Sequence, residues 1–175
     1  PVAINETRLV KISSQVNFSS KILHSLGSFA NHGPIPPKVG EETTYTTTFS
    51  IGNTQGDLTD AKVMAKLGQG VKWVGASSFS AENIIYDSSS NALTWDVGAL
   101  PSDTGFSSAA KEFSFQISLT PSIVQVGTAP VLITGIVFSG RDTVTGNTVI
   151  VSHQPLTTRL SDDPAFIQGD DIVVK

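Results

Sequence analysis

The chain has 175 residues, a net charge of −4, no cysteine and a charged fraction of only 15%. The absence of cysteine excludes disulfides, thiolate metal sites and cysteine catalysis. The 11 lysines and arginines are scattered along the chain, which argues against nucleic-acid binding, because such surfaces cluster basic residues. No apolar run approaches the roughly 20 residues of a membrane-spanning helix, so we expect no direct membrane insertion.

The charged fraction lies below the roughly 25% that is typical of soluble domains. Serine and threonine occupy many of the positions where such domains carry lysine or glutamate. This composition favours an extracellular domain, although an ordinary β-protein with threonine at its outward positions would also show it. The chain begins with Pro1 and has no signal peptide. We therefore expect a mature or excised piece of a longer precursor.

The clearest structural signal is the segment 42–51, whose side chains alternate in character as they do along a half-buried strand. One face carries Thr43, Tyr45, Thr47, Phe49 and Ile51. The other carries Thr44, Thr46, Thr48 and Ser50. The pattern predicts that the first face lies in a core and the second in water.

Similar segments recur along the whole chain. The predicted strands are 7–12, 16–29 with a break near Ser25 or Gly27, 42–51, 61–67, 71–75, 84–86, 91–97, 113–119, 131–138, 148–152 and 156–160. Strands at intervals of about ten residues, with no helical period, predict an all-β fold, an immunoglobulin-like antiparallel β-sandwich. The sandwich is expected over residues 16–160, with an N-terminal arm at 1–15 and a C-terminal linker or pairing strand at 161–175.

Two segments suggest how the sheets are arranged. Segment 131–138 is apolar on both faces, which predicts a central strand that is covered on each side. Segment 33–40 is rich in proline, which fixes φ and lacks an N–H donor, so we expect it to cross between the sheets as an extended link. The core is expected to contain Tyr45, Phe49, Ile51, Trp95, Phe113, Phe115 and Ile117.

Four segments carry a specific sequence pattern. Residues 33–45 read Gly-Pro-Ile-Pro-Pro-Lys-Val-Gly-Glu-Glu-Thr-Thr-Tyr, and this run resembles the opening of the DUF11-type repeat of bacterial and archaeal cell-surface proteins. Segments 93–101, 113–121 and 126–132 are similar to later parts of the same repeat. The resemblance covers about residues 16–160 and implies an Ig-like sandwich, usually in tandem, in cell-wall, surface-layer or adhesive proteins. The two arms depart from a minimal repeat.

No group of residues predicts catalysis. His24, His32 and His153 form no closely spaced pair, so zinc binding or acid–base chemistry would need distant convergence. No Gly-x-Ser-x-Gly motif is present, and this leaves hydrolase chemistry without support. We therefore expect a protein that is not an enzyme and has no cofactor.

Two kinds of ligand remain as weaker alternatives. Calcium candidates are Asp162, Asp163, Asp170 and Asp171, but calcium takes six to eight oxygens and the spacing is not that of an EF-hand, which favours a solvated linker. Surface glycans could stack on an exposed tryptophan. Trp95 shares its face with Leu93 and Val97 and is expected in the core, which leaves Trp73 as the less certain case.

The arms carry the sequence's strongest indication of an interaction. Their β-prone residues are Leu9, Val10, Ile12, Ile172, Val173 and Val174. A strand of this kind can add to the sheet edge of a neighbouring copy or tandem domain, and head-to-tail addition builds a filament. The expected function is a non-catalytic extracellular structural or interaction module of a prokaryotic surface protein, as a filament or surface-layer subunit. The alternatives are a glycan-binding adhesin domain and an accessory domain of a larger secreted protein.

Overall fold

A computed structural model describes residues 14–76 and 83–175 of the chain. These residues form ten β-strands and one short 3-10 helix at Ile123–Gln125. The strands are β1 Gln15–Leu23, β2 Thr43–Gln55, β3 Leu58–Leu67, β4 Val71–Ala76, β5 Ile84–Asp87, β6 Ala92–Leu100, β7 Lys111–Leu119, β8 Val131–Asp142, β9 Thr148–Ser152 and β10 Leu156–Thr157. Within the described ranges, no helix is long and apolar enough to cross a membrane.

The strands form two antiparallel sheets. The first sheet has the order β1-β2-β7-β4, and the second has the order β5-β6-β3-β8, with β9 and β10 both pairing with the far edge of β8. The first sheet corresponds to the A-B-E-D sheet of an immunoglobulin domain, and β3, β8 and β9 correspond to strands C, F and G. The predicted fold class, an Ig-like β-sandwich, is confirmed.

The core lies between the sheets and contains the residues that alternation assigned to it. The seven predicted core residues, Tyr45, Phe49, Ile51, Trp95, Phe113, Phe115 and Ile117, are each no more than 2% exposed. Strand β2 pairs with β7 so that Phe49 lies opposite Phe113. The rings of Phe49 and Phe115 meet edge to face at 5.4 Å, a favourable geometry for aromatic pairs.

The second face of β2 is not the solvated face that alternation predicts. Strand β1 ends at Leu23 rather than continuing to residue 29, and the loop that follows crosses the outer side of the sheet. The main-chain N–H of His32 donates to Thr44 Oγ1 at 2.7 Å, and Asn31 Nδ2 donates to Thr46 Oγ1 at 2.9 Å. Thr44 and Thr46 are therefore buried, because the loop covers them and supplies their hydrogen bonds.

The proline-rich segment 33–40 also differs from its prediction. Strands β1 and β2 are neighbours in the same sheet, so the segment that joins them does not cross between sheets. Instead it provides main-chain partners for the C-terminus, where Lys38 bridges to Val174. Its extended, proline-fixed backbone suits this role, because it leaves carbonyl groups available to a second strand.

Two further strand predictions need correction. Strand β8 is central, but Val131 at its start is exposed, so the strand is not covered on both faces along its whole length. Strand β10 ends at Thr157 rather than at residue 160. The chain leaves the sheet there, since Thr158 turns to donate its hydroxyl to the main-chain oxygen of Asp171 at 2.6 Å.

Candidate functional site

The sandwich has two poles, and Ser14 and Val174 lie at opposite ones. Strand β1 pairs with β2 in a register that places Gln15 beside Gln55 and Leu23 beside Thr46. We call the end with Gln15 the N-terminal pole, which also holds the loops 101–110 and 143–147. The end with Leu23 is the C-terminal pole, which holds the loops 24–42 and 120–130 and the segment 158–175.

At the N-terminal pole, Asp142 fixes the point where the chain enters the sandwich. Asp142 Oδ2 accepts hydrogen bonds from the main-chain N–H of Ser14 at 2.7 Å and from its hydroxyl at 2.5 Å. The other oxygen accepts from the N–H groups of Val144 and Thr145. The Ser14 hydroxyl, with these N–H groups, holds the pKa of Asp142 well below its ordinary value. Leu9, Val10 and Ile12, in the predicted strand 7–12, lie outside the described residues.

At the C-terminal pole, the last residues pair with their own chain. The N–H of Val174 donates to Pro37 O at 2.9 Å, and Val39 donates back to Val174 O at 3.0 Å. Val173 exchanges two similar bonds with Gly127 and Thr128, and its side chain is buried. Val173 and Val174 thus pair within their own chain, so the expectation that this C-terminal strand adds to a neighbouring copy or tandem domain is corrected for these residues.

Asp163 ties this C-terminal segment to the end of β1. Its Oδ2 accepts from the main-chain N–H groups of His24 at 2.6 Å and Ser25 at 2.7 Å, and its Oδ1 accepts from the Ser25 hydroxyl and the N–H of Ala165. Burial raises the pKa of Asp163, but these four hydrogen bonds outweigh that effect and lower it to about 2. Asp163 is therefore an ionised structural group at neutral pH.

The other three calcium candidates are placed differently. Asp170 Oδ2 accepts from the N–H of Ile167 at 3.0 Å and closes a turn. Asp162 is exposed, and Asp171 contributes its main-chain oxygen to Thr158. In the part of the chain that the structure describes, no three acidic or histidine side chains are grouped as metal ligands. Two of the four carboxylates, Asp163 and Asp170, are thus committed to main-chain hydrogen bonds.

Two of the three histidines converge on one residue in the fold. His24 Nδ1 lies 2.9 Å from Thr44 O, and His32 Nδ1 lies 3.3 Å from Thr44 Oγ1, so both rings contact one threonine. His153 Nδ1 lies 2.9 Å from Ser20 Oγ. Sequence reasoning missed the convergence of His24 and His32, because it depends on the loop that covers β2.

Both tryptophans are part of the sandwich. Trp95 is buried in the core. The ring of Trp73 stacks on Phe115 at 5.1 Å and on Tyr86 at 5.3 Å, with interplanar angles of 19° and 15°. Trp73 therefore joins the edge strand β4 of one sheet to β5 of the other, which is a structural role.

The C-terminal pole carries a feature that sequence reasoning did not identify, which we call the C-terminal groove. It consists of two depressions that share Phe166 as a lining residue. One, of about 500 Å³, is lined by Arg159, Phe166, Gln168, Gly169, Asp171 and Ile172. The other, of about 320 Å³, is lined by His24, Ser25, Ile35, Leu160, Asp163, Ala165, Phe166, Ile167 and Asp170. The groove is mixed in character, with apolar walls and several carboxylates.

Comparison with known proteins gives similarity at the level of structure alone. No protein-family model matches the chain, and no curated protein matches it in sequence. The full-length major pilin SpaD from Corynebacterium diphtheriae superposes with a TM-score of 0.50 and 10% identity, over 82% of this chain and 35% of that chain. BcpA, the major pilin subunit of Bacillus cereus, gives a TM-score of 0.48 and 14% identity, over 82% and 40%.

A DUF4466 family protein from Parabacteroides merdae gives a TM-score of 0.30 and 13% identity, over 80% of this chain and 44% of that chain. The chain thus spans less than half the length of each of these three proteins. At an identity of 10%, the likeness to SpaD shows a shared fold.

Proposed function

We propose that the chain is a non-catalytic structural module of a prokaryotic cell-surface protein and that it associates end to end with further copies or tandem domains. One observation carries the proposal. The carboxylates that anchor the two poles, Asp142 and Asp163, use both of their oxygens to fix the chain's own loops. Groups committed in this way hold a rigid scaffold and are poorly suited to act on a substrate.

Three features support a place at the cell surface. The hydroxyl-rich composition, with 15% charged residues, favours an extracellular domain, and the DUF11-type resemblance implies the same location. SpaD, which shares the fold, is a full-length major pilin. A filament or surface-layer subunit is the role that joins these features.

The direction of association follows from the poles. The 13 residues before Ser14 start from the N-terminal pole, whereas the end of the chain is fixed at the opposite pole. Contacts between opposite poles of successive copies are heterologous and do not close on themselves, so they generate an open filament. We therefore propose head-to-tail contact, in which the N-terminal arm of one copy joins the next.

Self-association is measured directly with purified chain 1–175. Sedimentation velocity and light scattering across a range of concentrations should show oligomers that grow with concentration, and electron microscopy should show linear assemblies. A chain that stays monomeric at every concentration would contradict the proposal.

The absence of catalysis needs its own assay. Peptide, ester and glycoside substrates should remain intact in the presence of the protein. Saturable turnover that disappears on substitution of His24, His32 or His153 would contradict a non-catalytic role. Because Trp73 and Trp95 both serve the sandwich, no specific observation favours glycan binding as a second function.

A further inference from the structure

We propose that the C-terminal groove is the docking site for residues 7–13 of a second copy of the chain. This inference rests on the proposed self-association and names the two surfaces that meet. The occupant is a stretch of this same chain, and the acceptor is the pair of depressions that share Phe166.

The groove offers apolar contact. Ile35, Leu160 and Ala165 line one depression and Ile172 lines the other. Ile167 stands at the rim with 68% of its surface exposed. An exposed isoleucine beside an apolar depression gains from being covered, at about 25 cal/mol for each Å² of apolar surface removed from water.

The groove also carries negative charge. Asp163, Asp170 and Asp171 line it, and Arg159 is the one cation among its lining residues. The hydrogen bonds that Asp163 accepts keep it ionised, so its charge persists although its oxygens are occupied. A segment that enters the groove is therefore favoured if it is basic as well as apolar.

Residues 7–13, Thr-Arg-Leu-Val-Lys-Ile-Ser, have this composition. They contain Arg8 and Lys11 and no carboxylate, with three aliphatic residues between and beside the cations. In an extended strand, Arg8, Val10 and Ile12 share one side. Side chains two residues apart are separated by about 7 Å, so Val10 and Ile12 suit two depressions that share one lining residue, Phe166.

The positions of the two surfaces favour docking between copies over docking within one chain. Ser14 is anchored to Asp142 at the N-terminal pole, and the groove lies at the other end of β1, whose nine residues span about 30 Å. To reach its own groove, the arm would have to extend back along the whole sandwich. In a head-to-tail stack, the groove of the next copy lies beside the arm's origin, and fewer residues need to be ordered.

Substitution of Ile167 tests the acceptor surface. Ile167→Lys adds a cation that repels Arg8 and Lys11, and because the side chain is exposed the fold should persist. Ile150→Lys is the matched control, since Ile150 on the outer face of β9 is similarly exposed at 64%. We expect Ile167→Lys to raise the dissociation constant for self-association at least tenfold and Ile150→Lys to leave it unchanged. Asp171→Lys, which alters the charge of the groove without removing an apolar contact, should weaken association in the same direction.

A mixing experiment distinguishes docking between copies from docking within a chain. Val10→Asp inactivates the arm but leaves the groove intact, whereas Ile167→Lys inactivates the groove but leaves the arm intact. Each variant alone should be monomeric, and an equimolar mixture should form a 1:1 dimer by light scattering. A mixture that stays monomeric while the wild type assembles would overturn docking between copies.

Failure of the groove and failure of the proposed function give different results. If Ile167→Lys and Asp171→Lys assemble as the wild type does, the groove is not the acceptor, and the proposed self-association stands. If the wild-type chain itself is monomeric at every concentration, the proposed function fails together with this inference.

Discussion

Asp163 and Ser25 lie 138 positions apart in the sequence and are joined by two hydrogen bonds. The main-chain N–H of Ser25 donates to Asp163 Oδ2 at 2.7 Å, and the Ser25 hydroxyl donates to Oδ1. The same carboxylate accepts from the N–H of His24. This contact makes the C-terminal segment a part of the sandwich, and it forms one wall of the C-terminal groove.

Asp163→Ala should destabilise the domain by about 1–3 kcal/mol, because the N–H groups of His24, Ser25 and Ala165 lose a buried acceptor. The free energy of unfolding in urea measures the effect. Asp162→Ala is the control, because the adjacent Asp162 side chain is exposed. Substitutions at such positions change stability by about 0.5 kcal/mol or less. Equal losses in the two variants would show that the Asp163 contacts add nothing to stability.

Stability should fall in acid, and Asp163 should account for part of the loss. Its pKa is lowered from 3.8 to about 2 in the folded protein, so its contribution is fully present above about pH 4 and is lost as the pH falls toward 2. Asp163→Asn should reduce the loss of stability between pH 4 and pH 2, measured as urea midpoints. Some loss should remain, because the pKa of Asp142 is also lowered. Parallel curves for wild type and variant would contradict this assignment.

The sandwich was predictable because alternation is a local property of each strand. The inward phases of β2 and β7 follow from single residues such as Tyr45, Phe49 and Phe115, and all three are buried. The cover over Thr44 and Thr46 was not predictable. It depends on Asn31 and His32, which reach the outer face of β2 through a loop with no periodic pattern.

The C-terminal groove was not predictable for a related reason. Phe166 and Ile167 stand among aspartates and turn residues, a composition that is typical of a linker. Their position depends on Asp163, whose partners at His24 and Ser25 are distant in sequence. Long-range hydrogen bonds of this kind leave no signal in the spacing of residues along a chain.

Adjacent threonines on β2 should respond oppositely to substitution by valine. Thr47 faces the core between Ile22 and Phe115, and its buried hydroxyl has no hydrogen-bond partner among residues 14–76 and 83–175. Thr47→Val should therefore stabilise the domain by up to about 1 kcal/mol. Thr46→Val should cost about 1 kcal/mol, since the Thr46 hydroxyl bonds the side chain of Asn31. Urea unfolding of both variants measures these changes in the free energy of unfolding. A loss of stability in Thr47→Val would show that the Thr47 hydroxyl makes a hydrogen bond in the folded protein.

Gly68→Ala should destabilise the domain while Gly75→Ala should not. A Cβ at Gly68 would collide with the main-chain oxygen of Val131 at the start of β8, whereas a Cβ at Gly75 would meet nothing within 4 Å. Neither glycine has a positive φ, so the pair isolates the steric effect. We expect a loss of about 1–3 kcal/mol for Gly68→Ala and a change within about 0.5 kcal/mol for Gly75→Ala. Equal thermal midpoints would show that β8 can move away from the turn without cost.

Phe115→Ala tests the centre of the core. The Phe115 ring contacts Phe49 at 5.4 Å, Trp73 at 5.1 Å and Phe113 at 5.2 Å, so its removal leaves a cavity that these large rings cannot fill. The expected loss is about 3–5 kcal/mol, measured by urea unfolding. Tryptophan fluorescence should also change, because Trp73 loses one of its two stacking partners. The exposed control Ile150→Ala should lose no more than about 0.5 kcal/mol. A loss below about 1 kcal/mol for Phe115→Ala would contradict the inward phase of β7 and the stacking that joins the two sheets at β4.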